Sequence, residues 1–206
     1  MKNPQDNRQL QLAFDYVQHT GRNVFLTGKA GTGKTTFLHT LRARSPKRMI
    51  VVAPTGVAAI NAGGVTIHSF FQLPFGPLAP DLDSGGERPG SQYRFSRQKI
   101  NIIRSLDLLV IDEVSMVRAD LLDGIDAVLR RFRPGNRPFG GVQLLMIGDL
   151  QQLAPVVKTD EWEILQNFYE TMFFFSSQAL GRTSLISIEL KHIYRQSDER
   201  FIETPG

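Results

Sequence analysis

The chain has 206 residues, of which 41% are hydrophobic, and its 24 Lys and Arg against 20 Asp and Glu give a net charge of +4. This length predicts one large domain with a buried core, and the mildly basic charge is compatible with nucleic acid without being diagnostic of it. The absence of cysteine excludes disulfides and cysteine-based metal sites, as is typical of a reducing compartment. With no membrane-length apolar run and no signal-peptide segment, we expect a soluble, intracellular protein without a membrane partner.

The first predicted element is a helix over residues 5–19. Its apolar face has three residues at helical spacing: Leu10, Phe14 and Val17. Gln9 and Gln11 also lie on this helix, and a glutamine amide can pair with an adenine edge because it both donates and accepts hydrogen bonds. A solvated glutamine is the commoner case, so the spacing alone does not assign either one.

A glycine-rich turn follows an apolar strand at residues 24–26 and opens a helix near Gly33. From Gly28 the sequence reads G-K-A-G-T-G-K-T, which fits the phosphate-loop pattern G-x-x-x-x-G-K-[ST] at every required position. In such a loop the backbone N–H groups surround a polyphosphate, Lys34 reaches its β- and γ-phosphates, and the Thr35 hydroxyl binds magnesium. The predicted nucleotide-binding residues are Gly28, Ala30, Gly31, Thr32, Gly33, Lys34, Thr35 and Thr36.

The next segments predict a strand at 49–53, a short helix within 54–61, and a return to the edge of the sheet at 65–71. Residues 72–95 are rich in proline and glycine, which predicts an irregular insertion or small subdomain within a single domain spanning 1–206.

A continuous apolar run at 107–111 predicts a buried strand, which ends at Asp112 and Glu113. An acidic pair alone is typical of a helix N-terminus. After a buried strand, and in a chain with a phosphate loop, it predicts a Walker B site instead. Asp112 would hold magnesium, and Glu113 would accept a proton from the water that attacks the γ-phosphate.

The rest of the chain predicts a helix ending before Pro134, a buried strand at 143–147, and last strands at 171–175 and 185–188. The three phenylalanines at 173–175 favour core packing over base stacking. Gln152 follows the strand at 143–147 and could reach the γ-phosphate, and Arg195 could supply it with a guanidinium. Alternating strands and helices predict an α/β fold, a mostly parallel sheet with helices on both faces and ligands at its carboxyl edge.

Five stretches together resemble the Pif-one family, whose members are superfamily-one, RecD-like DNA helicases that move 5′ to 3′ along single-stranded DNA using ATP. They are residues 28–35, 53–71, 110–116, 148–156 and 194–196. The segments T-I-H-S-F-F and G-D-x-x-Q-L-x-P-V are the specific ones, and the resemblance spans residues 7 to 202. It implies a RecA-like P-loop NTPase fold, ATP and magnesium as cofactors, and single-stranded DNA and duplex or structured DNA junctions as partners.

The resemblance also implies roles for individual residues. Gln152 would contact the γ-phosphate, Arg195 would do so across the motor cleft, and Gln11 would recognise adenine, with Gln9 as the alternative. The residues that resemble DNA-backbone contacts are Thr55, Gly56 and His68. The insertion at 72–95 occupies the place of a wedge-like subdomain.

Helicases of this family work with two motor domains, and only the first is expected here. We therefore expect nucleotide binding with weak hydrolysis and no unwinding by this chain alone, in a bacterial cytoplasm, a nucleus or a mitochondrion. Two hypotheses from other functional classes stay open, namely a self-contained small-molecule NTPase and a non-catalytic module that binds single-stranded DNA. The oligomeric state stays open too.

Overall fold

The computed structural model describes residues 6–79 and 95–191. The strands of its sheet are β1 (Asn23–Gly28), β2 (Met49–Ala53), β3 (Val65–Thr66), β4 (Leu108–Ile111), β5 (Gln143–Gly148) and β6 (Leu185–Leu190). They form one six-stranded sheet in the order β3-β2-β4-β5-β1-β6, in which all neighbouring strands are parallel. The predicted α/β class and parallel sheet are confirmed.

Eight helices accompany the sheet in the described part of the chain. They are α1 (Asp6–His19), α2 (Lys34–Arg44), α3 (Gly56–Asn61), α4 (Ile67–Phe71), α5 (Arg97–Ser105), α6 (Ala119–Phe132), α7 (Thr159–Leu165) and α8 (Gln178–Gly181). Short 3₁₀ turns follow β4, precede β5 and precede α8. None of the helices in the described ranges is long and apolar enough to cross a membrane.

The helices cover both faces of the sheet, as predicted. Because successive strand residues point to opposite faces, β4 contributes to two separate cores. Leu109 and Ile111 pack in the larger hydrophobic cluster, with apolar residues of α5, α6 and α8. Leu108 and Val110 pack in the second cluster, with α1 and α2. Burial on both faces explains the continuous apolar sequence of this strand.

The topology brings four polar segments to one edge of the sheet. β2, β4, β5 and β1 are consecutive neighbours, and all run in the same direction. Their carboxyl ends therefore place side by side the segments that begin at Pro54, Asp112, Asp149 and Lys29. This edge is where a parallel α/β sheet binds ligands.

The strand predicted at 171–175 is wrong. Phe174–Ser176 forms a 3₁₀ turn, and Phe173 makes only an isolated antiparallel bridge with Arg118. Phe174 is buried against Phe25, as core packing requires, whereas Phe175 is 50% exposed. Aromatic residues mark burial more reliably than they mark a strand, because a turn can insert one ring into a core as well as a strand can.

The insertion predicted at 72–95 is described only at its two ends, since residues 80–94 lie outside the described ranges. At its start, Leu73 is buried in the larger core. Ala79 packs in a third cluster with Ala119, Leu165 and Tyr169. The segment from 72 to 79 is therefore fixed against α6 and α7.

Candidate functional site

The loop between β1 and α2 is built on glycines. Gly28 has no room for a side chain between β6 and the loop, since a Cβ on it would lie 2.7 Å from both the carbonyl oxygen of Leu190 and the hydroxyl oxygen of Thr32. Gly33 precedes α2 with φ of 91°, a left-handed conformation that favours glycine. The first turn of α2 follows at once, so its unpaired backbone N–H groups lie at the end of the loop, where they attract anions.

Thr32 closes this loop internally. Its hydroxyl donates to the carbonyl oxygen of Lys29 at 2.8 Å, its backbone N–H donates to the same oxygen at 3.3 Å, and the residue is buried. The structure thus gives the Thr32 side chain a role in holding the loop. Four other residues predicted to bind nucleotide are exposed: Ala30, Gly31, Thr35 and Thr36.

Lys34 is the cation at the centre of the site. Its Nζ donates to the carbonyl oxygens of Gly28 and Lys29, which keeps the side chain folded over the loop. Partial burial lowers the pKa of Lys34, and the negative charges of Asp149, Glu113 and Asp112 oppose that shift. Three carboxylates at the ends of β4 and β5 therefore act electrostatically on a lysine that follows β1.

Asp112 and Glu113 follow β4 directly. The Asp112 backbone N–H continues the ladder by donating to the carbonyl oxygen of Val52 at 2.9 Å. Burial raises the pKa of Asp112, the charge of Glu113 raises it further, and Lys34 and a backbone hydrogen bond lower it. Glu113 itself has φ of 51° and ψ of 43°, so its backbone is left-handed.

A cleft of about 340 Å³ collects the polar residues of this edge. Its walls include Thr35 at the start of α2, Thr55 after β2, and Gln152 after β5, together with the acidic pair of β4. Gln152 is exposed and sits on a turn that Asp149 organises, because the backbone N–H of Gln152 donates to the Asp149 carbonyl oxygen at 3.0 Å. The structure thus brings together four of the predicted catalytic and metal residues: Thr35, Asp112, Glu113 and Gln152.

The two candidate adenine residues differ in their surroundings. Gln9 accepts a hydrogen bond from the backbone N–H of Lys191 at 3.3 Å, directly after Leu190, which pairs with Gly28. Gln11 is exposed and donates to Asp15, one turn along the same helix, at 2.8 Å. The Gln9 side chain thus contacts the residue after β6, the strand that pairs with β1, whereas the Gln11 side chain contacts its own helix. Arg195 lies outside the described residues.

The residues predicted to contact DNA lie at the starts of α3 and α4. Thr55 caps α3, since its hydroxyl accepts from the backbone N–H of Ala58 at 3.2 Å, and Gly56 is exposed. His68, in α4, is half-buried, and its Nδ1 donates to the carbonyl oxygen of Leu73 at 3.2 Å. Thr55 and His68 thus have structural contacts in addition to any role in binding.

A model of the PIF1-like helicase family matches residues 5–204. The chain belongs to the PIF1-like helicase family. The ATP-dependent DNA helicase PIF1 of Homo sapiens is 40% identical over 185 residues, and that of Candida albicans is 39% identical over 191 residues. These matches cover 88% and 89% of this chain.

Solved structures of PIF1-like helicases have the same fold. Bacteroides Pif1 bound to ssDNA and Bacteroides sp Pif1 in complex with ADP-AlF4 each match with a TM-score of 0.84 and 49% identity. In both cases 92% of this chain is covered, and 42% of the other. The chain spans about a quarter of the human relative (26%) and a fifth of the Candida relative (20%).

In this PIF1-like site, the sequence analysis missed one residue. It assigned no role to Asp149, yet Asp149 is buried and its charge is the strongest electrostatic influence that raises the Lys34 pKa. The signal was available, because Asp149 follows a buried strand as Asp112 does. It was overlooked because an aspartate at a strand end is also common in turns.

Proposed function

We propose that the chain binds ATP with magnesium at the carboxyl edge of its sheet and serves as the ATP-binding motor domain of a 5′-to-3′ DNA helicase that translocates on single-stranded DNA. The main support for this proposal is the arrangement of residues around one cleft. The cleft joins Thr35, Asp112, Glu113 and Gln152, and Lys34 follows the loop beside it, within the electrostatic reach of the acids.

The loop and Lys34 would bind the phosphates. The Lys34 ammonium now donates to two loop carbonyl oxygens, so it is already held over the turn that would receive the anion. Phosphate oxygens are stronger acceptors for this ammonium than carbonyl oxygens, because they carry negative charge and the bond then joins two opposite charges. We therefore propose that Lys34 exchanges these carbonyls for the β- and γ-phosphates.

The residues present fit a magnesium ion. Magnesium prefers hard oxygen ligands and is usually held by one or two protein groups together with substrate phosphates. Thr35 and Asp112 offer a hydroxyl and a carboxylate on the same cleft, a set small enough to leave room for phosphate oxygens on the ion. Bound there, the ion would neutralise phosphate charge and polarise the γ-phosphoryl group.

Glu113 would act as the general base and Gln152 would contact the γ-phosphate. Both line the cleft, from neighbouring strand ends. The left-handed backbone of Glu113 is rare for a residue with a Cβ, and such conformations concentrate at functional sites, where they aim a side chain. Arg195 is proposed to reach the same phosphate from the C-terminal segment.

The DNA-related part of the proposal rests on the relatives. The curated relatives are named ATP-dependent DNA helicase PIF1, and one Bacteroides structure was solved with ssDNA. We propose that Thr55, Gly56 and His68 contact the DNA backbone, and that duplex or forked DNA is engaged through residues 72–95 in the whole protein. Backbone contacts of this kind are insensitive to sequence and weaken with salt.

Equilibrium binding of a fluorescent ATP analogue tests the nucleotide site. Lys34→Ala should weaken binding by about 10- to 100-fold, because it removes a charge-assisted hydrogen bond of about 1.5–3 kcal/mol. Lys29→Ala is the matched control, since it removes the same charge from an exposed position in the same loop and keeps the backbone carbonyl. Equal affinity in the parent and both variants would contradict the proposed site.

ATP turnover with and without single-stranded DNA tests the motor role. We expect slow turnover by this chain and strong DNA stimulation when it is extended through a second motor domain. Equal, DNA-independent turnover in both forms would favour a self-contained small-molecule NTPase. DNA binding without phosphate release from either form would favour a non-catalytic DNA-binding module.

A further inference from the structure

Phe75 presents a large apolar ring to solvent at the start of the insertion. It is 87% exposed, the highest value for a large hydrophobic residue in the described part of the chain. An isolated exposed side chain needs no explanation by itself, but an exposed phenylalanine on a well-anchored turn does.

The turn that carries Phe75 is fixed on both sides. Before it, Leu73 is buried and its carbonyl oxygen accepts from His68 Nδ1 at 3.2 Å. After it, the carbonyl oxygen of Gly76 accepts from the Arg118 guanidinium. Leu78 then donates its backbone N–H to the Asp120 carboxylate at 2.9 Å. The ring is thus held out from a backbone that is anchored on both sides of it.

The Phe75 ring also packs against a second aromatic ring. The His68 imidazole lies against it, with ring centroids 4.5 Å apart and an angle of 30° between the planes. The next residue along α4, Ser69, accepts a hydrogen bond from the Lys99 ammonium through its carbonyl oxygen at 3.1 Å. The surface around α4 thus offers both an aromatic pair and a cation, and single-stranded nucleic acid is bound by the combination of base stacking and phosphate attraction.

We propose that Phe75 is a stacking platform for a base of single-stranded DNA. This inference rests on the proposed function, in which His68 and the start of α3 follow the DNA backbone. It adds a contact to a base face, which every base possesses, so it does not make binding sequence-specific. His68 would hold the inner side of the ring, and the base would cover the side that faces solvent.

The test compares two labelled oligonucleotides of about 12 nucleotides, within the range that such sites cover. One is single-stranded DNA and the other has the same backbone with abasic sites in place of the central bases. Phe75→Ala should weaken binding of the intact strand by about 5- to 100-fold, the range expected for one base–aromatic stack, and leave the abasic strand unchanged. Phe175→Ala is the control, since it removes another exposed phenyl ring that also stacks on a neighbouring ring, 5.4 Å away.

A second variant gives a direct optical readout. Phe75→Trp in a Trp162→Phe background places the only tryptophan on the turn, because the chain contains a single tryptophan. The affinity for intact DNA should be retained, and the introduced tryptophan should be quenched by intact DNA and not by the abasic strand. Loss of quenching selectivity, or equal affinities of the parent and Phe75→Ala for intact DNA, would overturn the stacking role.

The outcomes distinguish a failure of the stacking role from a failure of the proposed DNA-binding function. If the parent binds neither oligonucleotide, the proposed DNA-binding function fails and the inference fails with it. If the parent binds both oligonucleotides and Phe75→Ala does not change either affinity, the inference alone fails. If Phe75→Ala lowers the melting temperature and weakens both strands equally, the ring is structural and the inference is overturned.

Discussion

Glu113 shows how one residue can be fixed by the elements on both sides of it. Behind it, Asp112 is tied into the sheet by its hydrogen bond to Val52, and ahead of it Val114 is fully buried. The change of direction between them falls on Glu113, which adopts the left-handed conformation. The strain at this residue is offset by the sheet hydrogen bond of Asp112 and the burial of Val114, and the Glu113 side chain lines the cleft.

Glu113→Gln should slow ATP hydrolysis without weakening ATP binding. The amide keeps the size of the side chain but cannot accept the proton of the attacking water, so single-turnover phosphate release should fall by about 100-fold or more. ATP affinity should stay within about threefold, because the phosphate contacts are unchanged. Glu163→Gln, on the exposed side of α7, is the control. Unchanged phosphate release in Glu113→Gln would exclude Glu113 as the base.

The position of Gln9 leads to a prediction about base selectivity. Because Gln9 lies beside the end of β6 and the first glycine of the loop, Gln9→Ala should reduce the preference for ATP over GTP. Losing a paired hydrogen bond to one base is typically worth about 0.5–1.5 kcal/mol, so the change should be about 2- to 10-fold. Gln11→Ala should leave the preference unchanged, and the reverse result would favour Gln11, which the sequence analysis put first. Competition binding with the two nucleotides measures it.

At the scale of elements, Arg118 connects three segments that are distant in sequence. It pairs with Asp120 at the start of α6, with Glu161 in α7, and with the Gly76 carbonyl in the turn that carries Phe75. Arg118 is only 14% exposed and Asp120 only 1%. The start of the insertion is therefore held by a buried ionic network and not by apolar packing alone.

Arg118→Ala should lower the free energy of unfolding by about 3 kcal/mol, because it leaves the buried Asp120 carboxylate without its cation. Urea denaturation measures this change. Arg104→Ala is the control, since Arg104 is exposed and makes only a long hydrogen bond to the Phe132 carbonyl oxygen. A loss no greater than that of the control would show that Leu78 alone satisfies Asp120.

The elements that the sequence predicted best are those that are specified by residues close together in the chain. The phosphate loop, β4 and β5 are specified locally, by glycines and by continuous apolar runs, and the structure places them as expected. The segment at 171–175 and the choice between Gln9 and Gln11 depend on partners far along the chain, namely Phe25 and Lys191. Local patterns carry no information about such partners, so the sequence could not show that Phe174 lies in a turn against Phe25 or that Gln9 contacts Lys191.

At the scale of the whole molecule, the proposed nucleotide and DNA sites include residues of the same cleft. Thr35, proposed for magnesium, and Thr55, proposed for DNA, line the same cleft, and they follow β1 and β2, which are separated by β4 and β5. If both proposals hold, occupation of one site would change the electrostatic environment of the other directly, without a distant relay.

This shared cleft predicts reciprocal coupling in the chain itself. A non-hydrolysable ATP analogue should change the affinity for single-stranded DNA, and DNA should change the affinity for the analogue by the same factor, because the two effects are linked thermodynamically. Fluorescence anisotropy with labelled DNA and then with labelled nucleotide gives the two factors. Lys34→Ala should reduce the change in DNA affinity at a nucleotide concentration that just saturates the parent, because the variant is then only partly occupied, whereas Lys29→Ala should preserve it. Two factors that both equal one would show that the sites are independent within this domain, and coupling would then have to come from the second motor domain.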